Sequence, residues 1–496
     1  MSSSPRVLIV DINNFARYPT VGVGYLVARL RQAGMDVSVF SPLASGVSGT
    51  VREPSTRSWS LIEQRLRYRS AVSRNRWVRR LRGALAARHG PQLARQQTEV
   101  LNAFVARLDS DDFDIVLVSA YLMYHDLVGD IGAACAEREV PMLLGGPYFA
   151  APEVTTAWLD LPGLVGIAVG EVEAELPDIV RTAAEGESLE GMVGVAVPGQ
   201  AYTRPPPPVK DLDTIPPPDY SDFPWDAYPN RIAPLVTGRG CGWGKCSFCS
   251  DITSTIGRTY RSRSLDKVLE EVTLHAERYN TKLFVFTDLK LNSDQTVWKG
   301  LHKNMQRVIP GAQWVCAIHI PADGGGGLSE EDLVEAAKAG LVRLTTGFES
   351  GSMKVLGAMN KGTNLDQMSQ TLKNADAAGI SVRVTMIVGY PGETAEDVIA
   401  SARYLEDHVN TIERVMFNRL QMMTGTILHR GWQSHPSRYP DLQKVKANHR
   451  LGQLDHQFAP AEDPEYLAAV DRLLAAVHQI NLKPLKPKAR QFEGVM

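Results

Sequence analysis

The chain has 496 residues, 44% of them hydrophobic, which suits two to four globular domains with sizeable cores. Its 53 basic residues nearly balance 55 acidic ones for a net charge of −2, which argues against a polyelectrolyte partner such as nucleic acid. No apolar run reaches the roughly eighteen residues of a membrane span, and Met1 to Arg6 lead straight into a candidate strand, so the expectation is a cytoplasmic protein with neither span nor secretion signal.

Residues 1–200 alternate short apolar runs with amphipathic stretches, the pattern of a Rossmann-like parallel α/β sheet. Strands are predicted at Arg6–Val10, Val37–Phe40, Ile115–Ser119, Pro141–Leu144 and Leu164–Val169. The turns after them carry Asp11, Ser41-Pro42, Tyr121, Gly145-Gly146-Pro147 and Gly170-Glu171. Ligands of such sheets bind at the carboxyl ends of the strands, so Ser119, Tyr121, Gly145, Gly146, Gly170 and Glu171 are candidates.

Within this domain, residues 45–110 read as a basic helical insertion. Residues 51 to 100 hold twelve arginines against three glutamates, with Trp59, Leu61, Ile62, Leu66, Trp77 and Leu81 at near-helical spacing. Two readings stay open: a solvated face packed on a neighbouring domain, or a surface for an anionic substrate such as a phosphorylated or carrier-tethered molecule. His125 reads as a surface or capping residue. Residues 201–230 include Pro205 to Pro208 and Pro216 to Pro218, an extended linker with no core of its own.

From residue 231 to 426 the alternation resumes. Strands are expected at Ala233–Thr237, Lys282–Thr287, Gln313–Ile318, Leu341–Gly347, Ser381–Val388 and Arg414–Leu420, with helices starting at Ser264, Asp294, Ser329, Asn364 and Thr394. Acids three residues after Ser329 and Thr394 make capping boxes. Six such units give a partial (β/α)6 barrel, open along one side for a large substrate, with chemistry at the carboxyl ends of its strands.

Directly after the first of these strands comes the densest signal in the chain: Cys241, Cys246 and Cys249, three of only five cysteines, in a glycine-rich loop. Three thiolates can hold three corners of a cubane iron-sulfur cluster and leave the fourth iron open. A structural zinc site wants a fourth ligand at matching spacing, and the nearest histidine, His275, sits alone on a predicted helix. Cys135 and Cys316 read as buried apolar residues. Gly324 to Gly327 lack the Lys-Ser/Thr of a phosphate loop and read as a turn. Residues 427–496 form a C-terminal, mostly helical extension with a helix over Asp463 to Asn481 and no motif.

The Cys241-x4-Cys246-x2-Cys249 loop resembles that of the radical S-adenosylmethionine (SAM) superfamily, one residue longer than the usual Cys-x3-Cys-x2-Cys, as in a variant among cobalamin-binding members. Gly22-Val-Gly24-Tyr25, Gly145-Gly146-Pro147 and Gly170-Glu171, in that order ahead of it, look like the cobalamin-binding domain that precedes many such barrels. The Asp-x-His-x-x-Gly motif of histidine-ligated cobalamin is absent. The resemblance therefore implies three cofactors: a 4Fe-4S cluster on the three cysteines, SAM on the open iron, and cobalamin without a histidine ligand. It further implies that SAM methylates cobalamin and also yields a 5′-deoxyadenosyl radical, which takes hydrogen from an unactivated carbon before methyl transfer. For SAM it suggests Asp288 at the amine, Glu349 and Ser350 at the amino-acid or ribose portion, and Arg383 or Thr385 at carboxylate or ribose. Gly389 and Phe248 go to adenine. The second strand reads Phe286-Thr287-Asp288 where many members have Gly-Glu. A small-molecule or natural-product substrate and an external electron donor of flavodoxin or ferredoxin type complete the expectation. Alternatives are a rearranging or cyclising cobalamin enzyme, a radical SAM enzyme without functional cobalamin, and a non-catalytic cobalamin- or metal-binding regulator.

Overall fold

The computed structural model describes residues 4–51, 60–200, 206–251 and 260–495, and for residues 83–94 the backbone only. Trp59 and the first residues of the linker, 201–205 with Pro205, lie outside the described residues.

The first sheet contains β1 (Arg6–Asp11), β2 (Asp36–Phe40), β3 (Ile115–Ser119), β4 (Met142–Gly145), β5 (Leu164–Ala168) and β6 (Val195–Ala196), in the order β2-β1-β3-β4-β5-β6. The first five strands are parallel, and β6 pairs antiparallel to β5. Both faces are covered, and β1 and β3 are apolar almost throughout, as a doubly covered parallel sheet requires.

A second sheet runs β14-β13-β12-β11-β10-β7 and is wholly parallel. Its strands are β7 (Ile232–Leu235), β10 (Leu283–Phe286), β11 (Gln313–Ile318), β12 (Leu341–Glu349), β13 (Ser381–Val388) and β14 (Arg414–Arg419), with the short hairpin β8 (Gly238–Arg239) and β9 (Arg261–Ser262) beside it. β7 and β14 are edges, so the barrel is partial. The expected helix starts are found: Ser264, Asp294, Ser329 and Asn364 cap their helices through their side chains, Ser329 reciprocally with Asp332, and Asp397 accepts from Thr394 N at 2.9 Å.

Three features depart from the sequence reading. The linker is not outside the core: Tyr220 is fully buried against Gly24, His275 and Tyr279, and its hydroxyl donates to Pro234 O at 3.1 Å. Its aromatic rings supply the apolar surface that its prolines do not. The C-terminal extension contains, besides the helix Pro464–Leu482, the strands β16 (Leu442–Asn448) and β17 (Gln453–Phe458), which form a three-stranded antiparallel sheet with β15 (Met422–Met423) just ahead of the extension. The basic insertion forms the helices Leu61–Val72 and Arg76–Leu108, and the first packs onto the barrel at its β14 edge, with Tyr68 and Phe417 ring centroids 6.1 Å apart.

Candidate active site

The cysteine loop leaves the carboxyl end of β7, and its entry is fixed from β10. Asp288, buried after that strand, accepts from Thr237 N and Oγ1 at 3.1 and 2.8 Å and from Gly238 N at 2.7 Å. Burial pushes its carboxyl up to about 6 against the pull of those donors. The expectation that Asp288 meets the SAM amine is corrected accordingly: Asp is one methylene shorter than the usual Glu, and its oxygens are turned to the loop's own backbone.

Beyond Gly238 the loop is held by hydrogen bonds and aromatic contacts. Trp243 donates its indole N–H to Asn360 O at 2.8 Å and lies near-parallel to His319 at 6.0 Å. Gly362 has φ +66, and a Cβ there would fall 2.2 Å from the Trp243 ring, so this glycine is demanded by both conformation and space. Ser247 N donates to Met359 O at 2.9 Å, and Ser247 Oγ lies 2.7 Å from the Tyr390 hydroxyl. None of the three loop thiols is in a disulfide, and all are half-buried.

Two lysines face them. Lys361 is buried and pairs with Glu349 at 2.9 Å; burial works against its charge, but Glu349 and the Cys246 thiol outweigh it and hold the amine above the ordinary lysine range. Lys290 is pulled below that range by burial, against the attraction of Cys241 and Cys246. Burial raises the Cys246 thiol, with Lys361 opposing. Among the described residues, no three ligating side chains are gathered into a ready metal site. The chemistry of the surroundings nonetheless suits an anionic iron-sulfur cluster: three sulfurs on one loop and two cations beside them. His319, neighbour to Trp243, is neutral, its pKa pushed down to about 3 by burial and by Lys290 and Lys361, and its Nε2 is buried without a partner.

The remaining barrel candidates divide. Phe248, Glu349, Thr385 and Gly389 line a cavity of about 1280 Å³ that runs through the barrel from the cysteine end. Glu349 has φ +59, a conformation costly for a side-chain-bearing residue, and pairs with Met386 just after a register shift where β12 ends. Gly389 N donates to Glu393 at 2.6 Å, and Tyr466 donates to the same carboxylate, whose pKa burial pushes up to about 7. Ser350 is fully buried and accepts from Ser352 N at 3.2 Å, turned toward Ser401 rather than the cavity. Arg383, near the start of β13, donates to Val495 O at 3.1 Å; it secures the C-terminal tail and is corrected as a SAM contact.

The sheet domain meets this end of the barrel. Tyr148, in the turn after β4, lines the cavity, hydrogen-bonds to Ser250 and feels the Cys249 thiol. Glu171 accepts from Arg261 at 2.7 and 2.8 Å and from Arg239 at 3.2 Å, while Glu173 pairs with Arg239 at 2.6 Å. Glu171 is therefore a clamp between domains, a correction to its reading as a cofactor contact. Tyr25 lies beneath the Arg239 guanidinium, 5.4 Å from ring centre, and packs on Leu212 and Ile215.

The glycines behave differently from one another. A Cβ on Gly24 would fall 2.3 Å from Tyr220, and one on Gly146 2.3 Å from Ala120 O, so both are required by the protein's own packing. A Cβ on Gly22 meets nothing, and one on Gly145 only ordinary contacts at 3.7 Å. Ser119 ends β3 beside Gly145, Tyr121 rests on Phe15 at 6.4 Å, and Gly170 turns the chain into Glu171. In the turn after β1, Asn13 Oδ1 is buried without a partner. Open glycines and an orphaned acceptor at adjoining strand ends fit a flat, polar-edged cofactor such as cobalamin. His125 packs edge-on to Trp158 and lies 3.2 Å from Asp126, away from this position.

Lys290, Lys361, His319, Glu393 and Tyr466 were not singled out from the sequence. The lysines are isolated in their segments, and only the folding of β10 and β12 onto the cysteine loop brings them together.

Residues 235–405 match the family model described as the radical SAM superfamily. An uncharacterised methyltransferase of Pyrococcus horikoshii is 27% identical over 277 residues, 54% of this chain and 58% of the relative. The anaerobic magnesium-protoporphyrin IX monomethyl ester cyclase of Rubrivivax gelatinosus is 26% identical over 284 residues, 54% and 49% of the two chains. The match thus spans about half the length of these curated relatives. The solved structure of the radical SAM methyltransferase TsrM from Kitasatospora setae, with tryptophan and a SAM analogue bound, superposes with a TM-score of 0.69 at 18% identity, covering 96% of this chain and 89% of that one. A second TsrM structure, with cobalamin and a [4Fe-4S] cluster bound, gives a TM-score of 0.67 at 17% identity over 96% and 91%. At this identity the likeness is one of fold.

Proposed function

We propose that this chain, whose residues 235–405 belong to the radical SAM superfamily, is a cobalamin-dependent methyltransferase acting on an unactivated carbon of a small molecule or natural-product intermediate. The observation that carries the reading is the placement of Cys241, Cys246 and Cys249 after the first strand of a parallel barrel, beside its cavity and beneath the turns of a Rossmann-like sheet. When bound, the [4Fe-4S] cluster, SAM and cobalamin supply reductive cleavage of SAM and a methyl carrier, chemistry the side chains lack.

The chain's residues hold and enclose. The three thiolates would hold three irons of the cluster, and Lys290 and Lys361 would offset the negative charge it brings. Asp288 sets where the loop begins, and Trp243 closes its outer side over Gly362. Phe248, Glu349, Thr385 and Gly389 line the space for SAM and substrate. Cobalamin fits the turns after β1, β3 and β4, around Asn13, Gly22 and Gly145, and the Glu171 clamp keeps that sheet in register with the barrel. An external electron donor of flavodoxin or ferredoxin type would supply the electrons, and a reducing cytoplasm suits thiols that form no disulfide. No described helix is long and apolar enough to cross a membrane.

The TsrM fold, solved with cobalamin, supports methyl transfer; the cyclase among the relatives favours, as second reading, a ring closure or rearrangement. Anaerobic turnover with methyl-labelled SAM, cobalamin and reductant separates them. Methylation puts label in the product with a gain of about fourteen daltons, as methyl-for-hydrogen replacement requires, whereas a rearranged product carries no label. A reconstituted sample that cleaves no SAM, or a Cys241→Ala, Cys246→Ala, Cys249→Ala chain that keeps the brown colour of the parent, refutes both.

A further inference from the structure

The last barrel strand, β14, pairs with β13 alone. Leu420 N donates to Val388 O at 2.9 Å. Successive residues of a strand turn their main-chain groups to opposite sides, so Met416, Asn418 and Leu420 face β13 while Val415, Phe417 and Arg419 face the open edge. At Val415 a side chain closes that edge. Asn481, on the helix Pro464–Leu482, accepts from Val415 N at 2.8 Å and donates from Nδ2 to Val415 O at 3.0 Å. Its carboxamide makes the two bonds that one residue of an added strand would make. Past it, among the described residues, no hydrogen bond reaches the main-chain N–H or C=O of Phe417 or Arg419.

These groups border the cavity already described. Neighbouring residues of a strand point their side chains to opposite faces, yet every residue from Arg414 to Gln421 lines the cavity, so it passes along the strand's edge. The insertion helix Leu61–Val72 contributes Gln64, Tyr68 and Ala71 to the same cavity, with the Tyr68 ring edge-on to that of Phe417. A helix satisfies its main-chain groups internally, so it flanks the strand without pairing with it. An edge with unpaired N–H and C=O groups is a template for another extended chain.

We propose that the open edge of β14 at Phe417 and Arg419 is a subsite for an extended peptide segment of the substrate, which joins the barrel sheet as a short additional strand within the cavity. A peptide in extended form repeats a donor and an acceptor on one side at every second residue, about 6.6 Å apart, which is the repeat between Phe417 and Arg419. The Asn481 carboxamide shows that the adjoining position of the same edge takes an amide in this manner. The assignment rests on the proposed function in taking this cavity as the substrate's, and it names the class of that substrate.

The test is hydrogen exchange of the reconstituted protein, read at single amides by mass spectrometry, with and without the capped peptide acetyl-Ala-Val-Ala-Val-Ala-amide at millimolar concentration. Without peptide, the amides of Phe417 and Arg419 should exchange faster than those of Met416 and Asn418, which belong to the ladder with β13. With peptide, the first pair should slow about tenfold or more and the second should change little. The same peptide N-methylated at every residue has no N–H to donate and should protect neither. Arg419→Pro removes an edge donor and no ladder bond, and should weaken peptide binding about fivefold, the scale of one hydrogen bond. The exchange pattern of the parent chain decides the matter even where that variant fails to fold. Slow exchange at Phe417 and Arg419 without peptide would show an edge already closed. Unchanged exchange with peptide, or equal protection by the N-methylated peptide, would show that no strand is added. Any of the three overturns the subsite. A chain that gains this protection but cleaves no SAM refutes the proposed function and leaves the subsite standing, whereas one that methylates and gains none keeps the function and loses the subsite.

Discussion

Replacing Lys361 by methionine tests how the cysteine loop is supported. Lys361 Nζ lies 2.9 Å from Glu349 Oε1, and the two side chains are 12% and 6% exposed. At an effective dielectric of about 20, two charges that close attract by roughly 6 kcal/mol, much of it offset by the cost of taking both out of water. Methionine keeps the apolar length of the side chain but strands the Glu349 charge beside Gly347, at a residue already held at φ +59. Removing one partner of such a pair costs about 3–5 kcal/mol, whereas removing both charges costs far less. Urea denaturation of the iron-free chain, followed by tryptophan fluorescence, should place Lys361→Met well below the parent, and Lys361→Met/Glu349→Gln should recover most of the loss. A single variant within about 1 kcal/mol of the parent, or a double variant no more stable than the single, would refute the reasoning.

Three further outcomes concern the linker's contacts and the helix Val21–Gln32. His275 donates from Nε2 to Pro218 O at 3.2 Å and is buried, which lowers its pKa from 6.5 to about 4. The unfolded chain therefore binds a proton that the folded chain refuses between those values. Stability is full above pH 6.5 and falls as pH drops toward 4, by at most about 3 kcal/mol; comparing denaturation midpoints of the parent and His275→Gln at pH 7 and pH 4.5 should show a smaller acid loss in the variant. Gly24→Ala should destabilise by about 1–3 kcal/mol, because its methyl would meet Tyr220. Gly22→Ala, with open space around it, should be neutral or slightly stabilising in the same melts while weakening cobalamin retention if that space receives the ring.

The β/α alternation, the helix caps and the cysteine loop were readable because each is local. Strand periodicity, a Ser or Asp before an apolar run, and three thiols within nine residues carry their meaning wherever the chain folds. Residue type and order were enough to put Cys241, Cys246, Cys249 and Phe248 in the loop after the first barrel strand, Glu349 at the end of β12, Thr385 within β13 and Gly389 just after it. They were insufficient for Asp288, Glu171, Arg383 and Gly24, each of which sits where a ligand contact was expected and is bonded to, or packed against, another part of the protein. A carboxylate or an arginine at a strand end meets whichever donor or acceptor comes nearest, and that depends on side chains up to a hundred or so positions away: Arg261 for Glu171, Val495 for Arg383.

The amino-acid sequence alone pointed to the class of chemistry, because the three cysteines that suggest it lie within nine residues of one loop. Only the tertiary structure decided what surrounds that chemistry. Lys290 and Lys361 reach the loop from the ends of separate strand units, and the arginine-rich insertion of the first domain became a wall of the second domain's cavity. Charge and burial act through space, and no local pattern records which distant segments the packing of two sheets will bring face to face.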